Sequence, residues 1–396
     1  MVPGQIWDLI VTLDDAESRA LSAGKIHIDW NAVITRKHRF TDPVTVSTEQ
    51  GLAKAGVHYI KAPPRFVAND RLEVNGRTLS FDGVVVATGS IPRRFAFSGA
   101  EYVSSSDDIL ELRHIPNTLA IIGSGVVALE FGQVFARLGA GVHLLMHSHQ
   151  VLHGLEQEIV AKLVEHSKSL GMVFHERAGI ERVEPEKNAY VIKLKSGETL
   201  TADFILNAAG RPANIAHLNL EAAGVEFSAD GVVVNEHLRS PRNSRVFAAG
   251  DARGEKQLSP VASYEGGIVA QNFLHGDSTK ANLSTVPSVV FAIPPVATVG
   301  MTEEKARQQG LSVDVVMQDM SNWTVFSITG VQPAYGKIIS EKQTGRILGA
   351  HLYGPGADEN IHIFSLAMRF GISKTQLAEL VYAYPTYASA LSYLTA

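Results

Sequence analysis

No cysteine occurs among the 396 residues of this sequence. Within it no disulfide, thiolate nucleophile, Fe–S cluster or Cys-ligated zinc can form. Long apolar runs are absent too: no stretch reaches the roughly 18–20 consecutive apolar residues of a membrane span. Residues 1–20 do not read as a signal peptide, because the apolar run 6–13 is broken by Asp8, has no basic flank and leads into Asp14-Asp15. A soluble, cytoplasmic protein is the expectation. Positive charge is not in excess. The 35 Lys and Arg against 40 Asp and Glu give a net charge of −5, which argues against a nucleic-acid or anionic-membrane partner. No G-x-S-x-G occurs to support Ser-His-Asp hydrolysis.

What is present is enough apolar sequence for real cores, 45% hydrophobic against 19% charged residues. The length suggests two to four domains at roughly 150 residues each. Residues 81–89, FDGVVVATG, read as a short buried strand entering a glycine turn, and 119–123, LAIIG, do the same. A helical pattern follows at 126–138 and a second strand at 141–146. This is β–turn–α–β in about 30 residues, the unit of a parallel sheet. Helical periodicity returns at 156–170. Strands are expected at 190–195 and 199–206, separated by Ser196-Gly197, then at 232–234 and 246–249, with a helix at 260–274. Composition shifts after 275–277. Strands at 289–292, 336–340 and 347–353 and helices at 360–370 and 374–381 indicate a separate C-terminal α+β domain.

The run Gly123-Ser124-Gly125-Val126-Val127-Ala128 is G-x-G-x-x-A, placed between a buried strand and a helix. The first glycine permits the tight turn and the second lets backbone approach a pyrophosphate. Ala128 is small enough for helix and strand to pack closely. The pyrophosphate would sit on the unpaired N–H groups of the helix N-terminus, at Val126. Near the end of the second strand NAD-binding proteins place an acid for the ribose. Between Phe131 and Leu155 there is no acid, but His147, His149 and His153 occur. That tilts the expectation toward NADP over NAD, since nothing repels a 2′-phosphate and a protonated His attracts it. The alternative, a metal cluster of His143, His147, His149 and His153, is weaker. The strand should end near Met146 and no carboxylate joins them, so no metal site is expected. The basic runs at 36–39 and 93–94 read most simply as solvated surface.

Several motifs occur in order: 86–92 (VATGSIP), 123–132 (GSGVVALEFG), 208–214 (AAGRPAN), 246–251 (VFAAGD), 289–306 and 347–371. With them the chain resembles the pyridine nucleotide-disulfide oxidoreductases, the family of glutathione reductase, dihydrolipoyl dehydrogenase and mercuric reductase, over about residues 25–396. The resemblance implies an α/β fold. An FAD-type doubly wound domain (1–115 and 213–280, incomplete) would hold a nested NAD(P)-binding Rossmann-like domain (116–212). A C-terminal α+β dimerisation domain (285–396) would follow, and with it a homodimer. It implies flavin contacts from Thr88, Gly89, Gly250 and Asp251, Asp251 meeting the ribityl chain, and cofactor contacts from Gly210 and Arg211. Glu130 matches a glutamate that pairs with a lysine beside flavin and nicotinamide. His147 and His153 fall where NADPH-specific members carry arginines.

Three departures from the family pattern stand out. Residues 7–11 read as the family's first strand, but 12–15 follow with no glycine turn and 16–23 resemble sequence well beyond it, as if by internal deletion. That turn would hold FAD's pyrophosphate. The redox Cys-x4-Cys pair and the lysine for Glu130 belong to the same stretch. Unpaired, a buried Glu130 should have a raised pKa or find another partner. Finally, the family's His-Pro-Thr-x-x-Glu reads Tyr384-Pro385-Thr386-Tyr387-Ala388-Ser389. Tyr384 and Tyr387 suit either hydrogen bonding on the acceptor side or packing at a dimer interface. The expected function is hydride transfer from NAD(P)H to FAD and onward to a small-molecule acceptor, without an enzyme dithiol. The catalytic candidates are Glu130 and Tyr384. The alternative is a degenerate homologue that binds nicotinamide nucleotide or a partner but has lost tight FAD binding.

Overall fold

A computed structural model describes residues 28–330 and 333–396. The expectations for residues 7–11, 12–15 and 16–23 lie outside the described residues. The chain forms two compact units, one from residues 94–209 and 284–396 with 28–41, the other from 42–93 and 210–283.

In the first unit a parallel sheet runs in the order Phe204–Asn207, Thr118–Ile122, Gly141–Leu145, Val173–His175. Leu119, Ala120 and Ile121 are fully buried, as a parallel strand covered on both faces requires. Alternate residues divide between two cores. Leu119, Ile121, Val142 and Leu144 meet Leu129, Val134 and Phe135 of the Val126–Arg137 helix and Ile159, Val160 and Leu163 of the Gln157–Ser169 helix. Ala120, Ile122 and Leu145 meet the antiparallel meander Ile180–Glu186, Ala189–Leu194, Thr199–Ala202. The expected single strand 199–206 is two strands. It divides at Asp203, whose Oδ2 accepts the backbone N–H of Asn117 at 2.8 Å and of Thr118 at 3.1 Å. Before it the chain runs antiparallel to Ala189–Leu194, and after it parallel to Thr118–Ile122.

The same unit contains a five-stranded antiparallel sheet in the order Ser288–Val290, Val296–Gly300, Ile347–Tyr353, Tyr335–Glu341, Val313–Asp319. The Ala357–Phe370 helix buries Ile361, Phe364 and Ala367 against it. Lys337 on that sheet is 2% exposed and is held by Glu303 at 2.7 Å, Glu156 at 3.2 Å and Glu158. A cation buried this deeply needs such carboxylates to offset its desolvation.

The Trp30–Lys54 helix was not expected, because Pro43 and its polar composition hide the periodicity. Its first turns are anchored by Trp30, whose Nε1 donates to Leu112 O at 2.7 Å and whose ring lies 5.8 Å from that of Phe135. Lys37 corrects the expectation of a solvated basic run. Two helical turns from Trp30, it shares the buried face, donates to Leu110 O at 3.1 Å and pairs with Glu111.

In the second unit Val246–Ala248 runs parallel to Val84–Val86 in register. Beside this pair stands an antiparallel meander, Arg65–Ala68, Arg71–Val74, Arg77–Ser80. Phe66, Val86, Val246 and Ala248 share one core with Leu218, Leu220 and Val225. The expected strand at 232–234 is reduced to one bridge between Val232 and Phe227. No described helix is long and apolar enough to cross a membrane.

Candidate functional site

The first unit carries the Gly123-Ser124-Gly125 turn between the Thr118–Ile122 strand and the Val126–Arg137 helix. Gly123 has φ +133°, and a Cβ there would stand 2.2 Å from Ala208 O, so only glycine fits. Gly125 is the helix N-cap in extended conformation, with no side chain capping the helix. A Cβ built on Gly125 would meet nothing within 4 Å, so there is open space on that side of the N-cap. Ala128 is fully buried, where the close helix–strand contact was expected. Ser124 ties the turn to the loop after Gly141–Leu145: its Oγ donates to Gln150 O at 2.9 Å and its carbonyl accepts Leu152 N–H at 2.8 Å. That loop presents His147 and His153 to solvent. His143 points elsewhere and pairs with His175, Nδ1 to Nε2 at 3.0 Å. A helix N-terminus with room for an anion, flanked by a loop without carboxylates, fits a dinucleotide phosphate.

Glu130, one turn into the same helix, is 7% exposed. Its Oε1 accepts the Phe291 backbone N–H at 2.9 Å. Burial pushes its pKa up to about 7, and the Phe291 N–H holds it back from rising further. Both outcomes expected of an unpaired Glu130 are therefore met. Tyr384 stands in an exposed segment of the same unit, 69% accessible in the single chain. Tyr387 is packed on Phe326 with ring centroids 5.4 Å apart, and Ser389 N–H donates to Thr386 Oγ1 at 3.2 Å.

In the second unit the ends of the two parallel strands carry Thr88, Gly89, Gly250 and Asp251, and the segment with Gly210 and Arg211 pairs with residues 88–93. Residues 88–93 run antiparallel to 210–214, with Ile91 N–H donating to Pro212 O and Arg93 N–H to Gly210 O, each at 3.0 Å. Asp251 Oδ2 accepts Ser90 Oγ–H at 2.7 Å. Arg211 donates through Nε to Ser90 Oγ at 3.2 Å and through Nη2 to Ser90 O at 2.9 Å. Gly89 has φ +69° and open space where a side chain would be. Thr88 Oγ1 is buried without a hydrogen-bond partner among the described residues. A buried orphan hydroxyl followed in sequence by an open glycine, two positions from the serine that Asp251 accepts from, fits a polar, hydroxyl-bearing ligand such as the flavin's ribityl chain. Sequence reading missed Glu265, which fixes this turn. It is 1% exposed, accepts Gly250 N–H at 2.7 Å and pairs with Arg253. Its signal was present, as the one acid in the otherwise uncharged stretch of the Ser259–His275 helix.

Residues 14–266 match the pyridine nucleotide-disulphide oxidoreductase family, and residues 286–394 match that family's dimerisation domain. The chain belongs to this family. Among its relatives is a mercuric reductase of Lysinibacillus sphaericus, 33% identical over 376 residues, covering 93% of this chain and 68% of that protein. A dihydrolipoyl dehydrogenase of Bacillus subtilis is 30% identical over 384 residues, covering 94% of this chain and 82% of that one. The chain spans 54% of the length of a mercuric reductase of Bacillus cereus. In fold it resembles the HOCl-induced flavoprotein disulfide reductase RclA of Escherichia coli, with a TM-score of 0.86 at 24% identity over 98% of this chain and 89% of that one. The α/β family fold expected from the motifs is thus borne out.

Proposed function

We propose that the chain is an FAD-dependent NAD(P)H oxidoreductase that passes electrons to a small-molecule acceptor and works as a homodimer. The observation that carries the flavin is the buried, unpartnered Thr88 hydroxyl next to the Ser90–Asp251–Arg211 network. When bound, NAD(P)H would supply a hydride, that is two electrons and a proton, and FAD would take it up, passing the two electrons to the acceptor and the proton to the acceptor or to solvent.

The residues of the chain have separable tasks in this reading. The N–H groups at Val126 and beyond receive the dinucleotide phosphate that Gly125 leaves room for. His147 and His153 favour a 2′-phosphate, hence NADP over NAD, because no carboxylate shares their loop. Asp251 and Thr88 take the hydroxyls of the flavin chain, with Gly89 and Gly250 giving backbone access, Arg211 bracing Ser90 and Gly210 holding Arg93. Glu130 holds or releases a proton near neutral pH at its Oε atoms, as a carboxyl shifted to about 7 does. Tyr384 reaches the acceptor side from the partner subunit. Leu366, Phe370 and Val381, all exposed in the single chain within residues 286–394, support the dimer.

The relatives named mercuric reductase suggest a metal ion as acceptor, beside quinones and dioxygen. The test is NADPH and NADH oxidation by FAD-loaded protein with each acceptor in turn. FAD-dependent turnover with one of them, and NADPH preferred, supports the reading. No turnover above the free-flavin rate with any of them opposes it.

A further inference from the structure

The Val126–Arg137 helix carries two more polar side chains that the proposed function leaves unused, one buried and one half-buried. Gln133 is 1% exposed; its Oε1 accepts Ile293 N–H at 2.8 Å and its Nε2 donates to Ser167 Oγ at 2.9 Å. Arg137 donates to Ile293 O at 3.0 Å and lies 3.2 Å from His166 Nε2. Positions 130, 133 and 137 form one stripe along the helix. Together these side chains engage the Phe291 N–H, the Ile293 N–H and the Ile293 carbonyl.

The direction of the Gln133 amide is fixed. Ser167 spends its own proton on Leu163 O, at 2.7 Å, so its oxygen is left to accept from the amide NH2. The amide oxygen must then face Ile293, whose N–H can only donate. A flipped amide would set two donors against each other in a buried place.

We propose that Gln133 is a positioning residue for Glu130: by pinning Ile293 to the helix, it holds the Phe291 N–H on the Glu130 carboxylate. The inference builds on the reading of Glu130 as the proton-holding group. Only one residue stands between Phe291 and Ile293, so freeing the second lets the first move off its acceptor. Among the described residues Glu130 is otherwise under the influence of burial alone. Among the described residues, the charged and titratable groups around it are engaged elsewhere. Arg137 and His166 bear on the Ile293 end, and Lys37 of the Trp30–Lys54 helix is paired with Glu111. On the neighbouring Gly141–Leu145 strand, His143 is bonded to His175. The strands Thr118–Ile122 and Ser288–Val290 carry no charged residue.

The experiment is a carbon-13 NMR titration of the Glu130 carboxyl in the full chain, its signal assigned by its loss in Glu130→Gln. Gln133→Met keeps the length and shape of the side chain but removes the acceptor. Its Glu130 midpoint should rise from about 7 by about one unit, and the Phe291 amide should exchange faster. Ser167→Ala removes only the bond that orients the amide and should raise the midpoint less; it carries the test if Gln133→Met does not fold. A midpoint unmoved in the folded variants overturns the inference. A midpoint that moves, in a protein whose flavin reduction is indifferent to Glu130→Gln, supports the positioning by Gln133 and instead removes the redox role of Glu130.

Discussion

The Glu130 carboxylate and the Phe291 backbone N–H meet at 2.9 Å in a place where the carboxyl is 7% exposed. Burial acts against the charge more strongly than the N–H acts for it, and the pKa is pushed up to about 7. In the unfolded chain the same group titrates near ~4.3. The native state therefore binds more protons between these values, and stability falls as pH rises through the window. The stabilisation is fully present below the unfolded pKa and is gone above about 7. Its size is about 3 kcal/mol as an order of magnitude. Glu130→Gln keeps an oxygen for Phe291 and has no charge to bury. Urea unfolding at pH 5 and pH 8 should show the parent losing stability between the two and the variant losing less. Equal losses would contradict the assignment.

Gly123 and Gly125 are both motif glycines, yet they should fail differently. Alanine at 123 needs a φ of +133° and drives its Cβ to 2.2 Å from Ala208 O. Gly123→Ala should cost about 1–3 kcal/mol or more of stability, read as a lowered melting temperature. Alanine at 125 meets no protein atom within 4 Å. Gly125→Ala should melt within about 0.5 kcal/mol of the parent yet bind NADPH about tenfold more weakly, because the methyl occupies the phosphate's approach. Unchanged NADPH affinity in Gly125→Ala would mean that nothing binds there.

Thr88 offers a similar separation in the second unit. Its hydroxyl is buried without a partner, so the ligand-free fold gains little from it. Thr88→Val should be neutral or stabilising by up to about 1 kcal/mol in the absence of FAD. The same change should weaken FAD about tenfold in a fluorescence titration, because the ligand loses that hydroxyl. A destabilised variant with unchanged FAD affinity would assign the hydroxyl to the fold.

How far the sequence could be read follows from these residues. The strand around Ile121, the turn at Gly123 and the helix through Leu129 were legible because an apolar run, two glycines and a 3.6-residue period agree over a short span. The Ile347–Tyr353 strand was legible from its apolar run in the same way. The break at Asp203 was not, because its cause is a side chain bonding to Asn117 and Thr118, far away in sequence. The Trp30–Lys54 helix was hidden by Pro43, and the burial of Lys37 by its three basic neighbours. At the site, the residue types at 88–89, 123–128 and 250–251 were readable as motifs. Their partners Ser90, Glu265, Gln133 and Phe291 act through long-range contacts that no spacing announces.

The proposed function requires the chain to hold FAD and to reduce it with NAD(P)H. The most direct measurement is the visible spectrum of the FAD-loaded, desalted protein under anaerobic conditions, before and after one equivalent of NADPH. Flavin bands should survive desalting and bleach on addition, faster with NADPH than with NADH. A protein that desalts colourless, or whose flavin stays oxidised with both nucleotides, would contradict the proposed function.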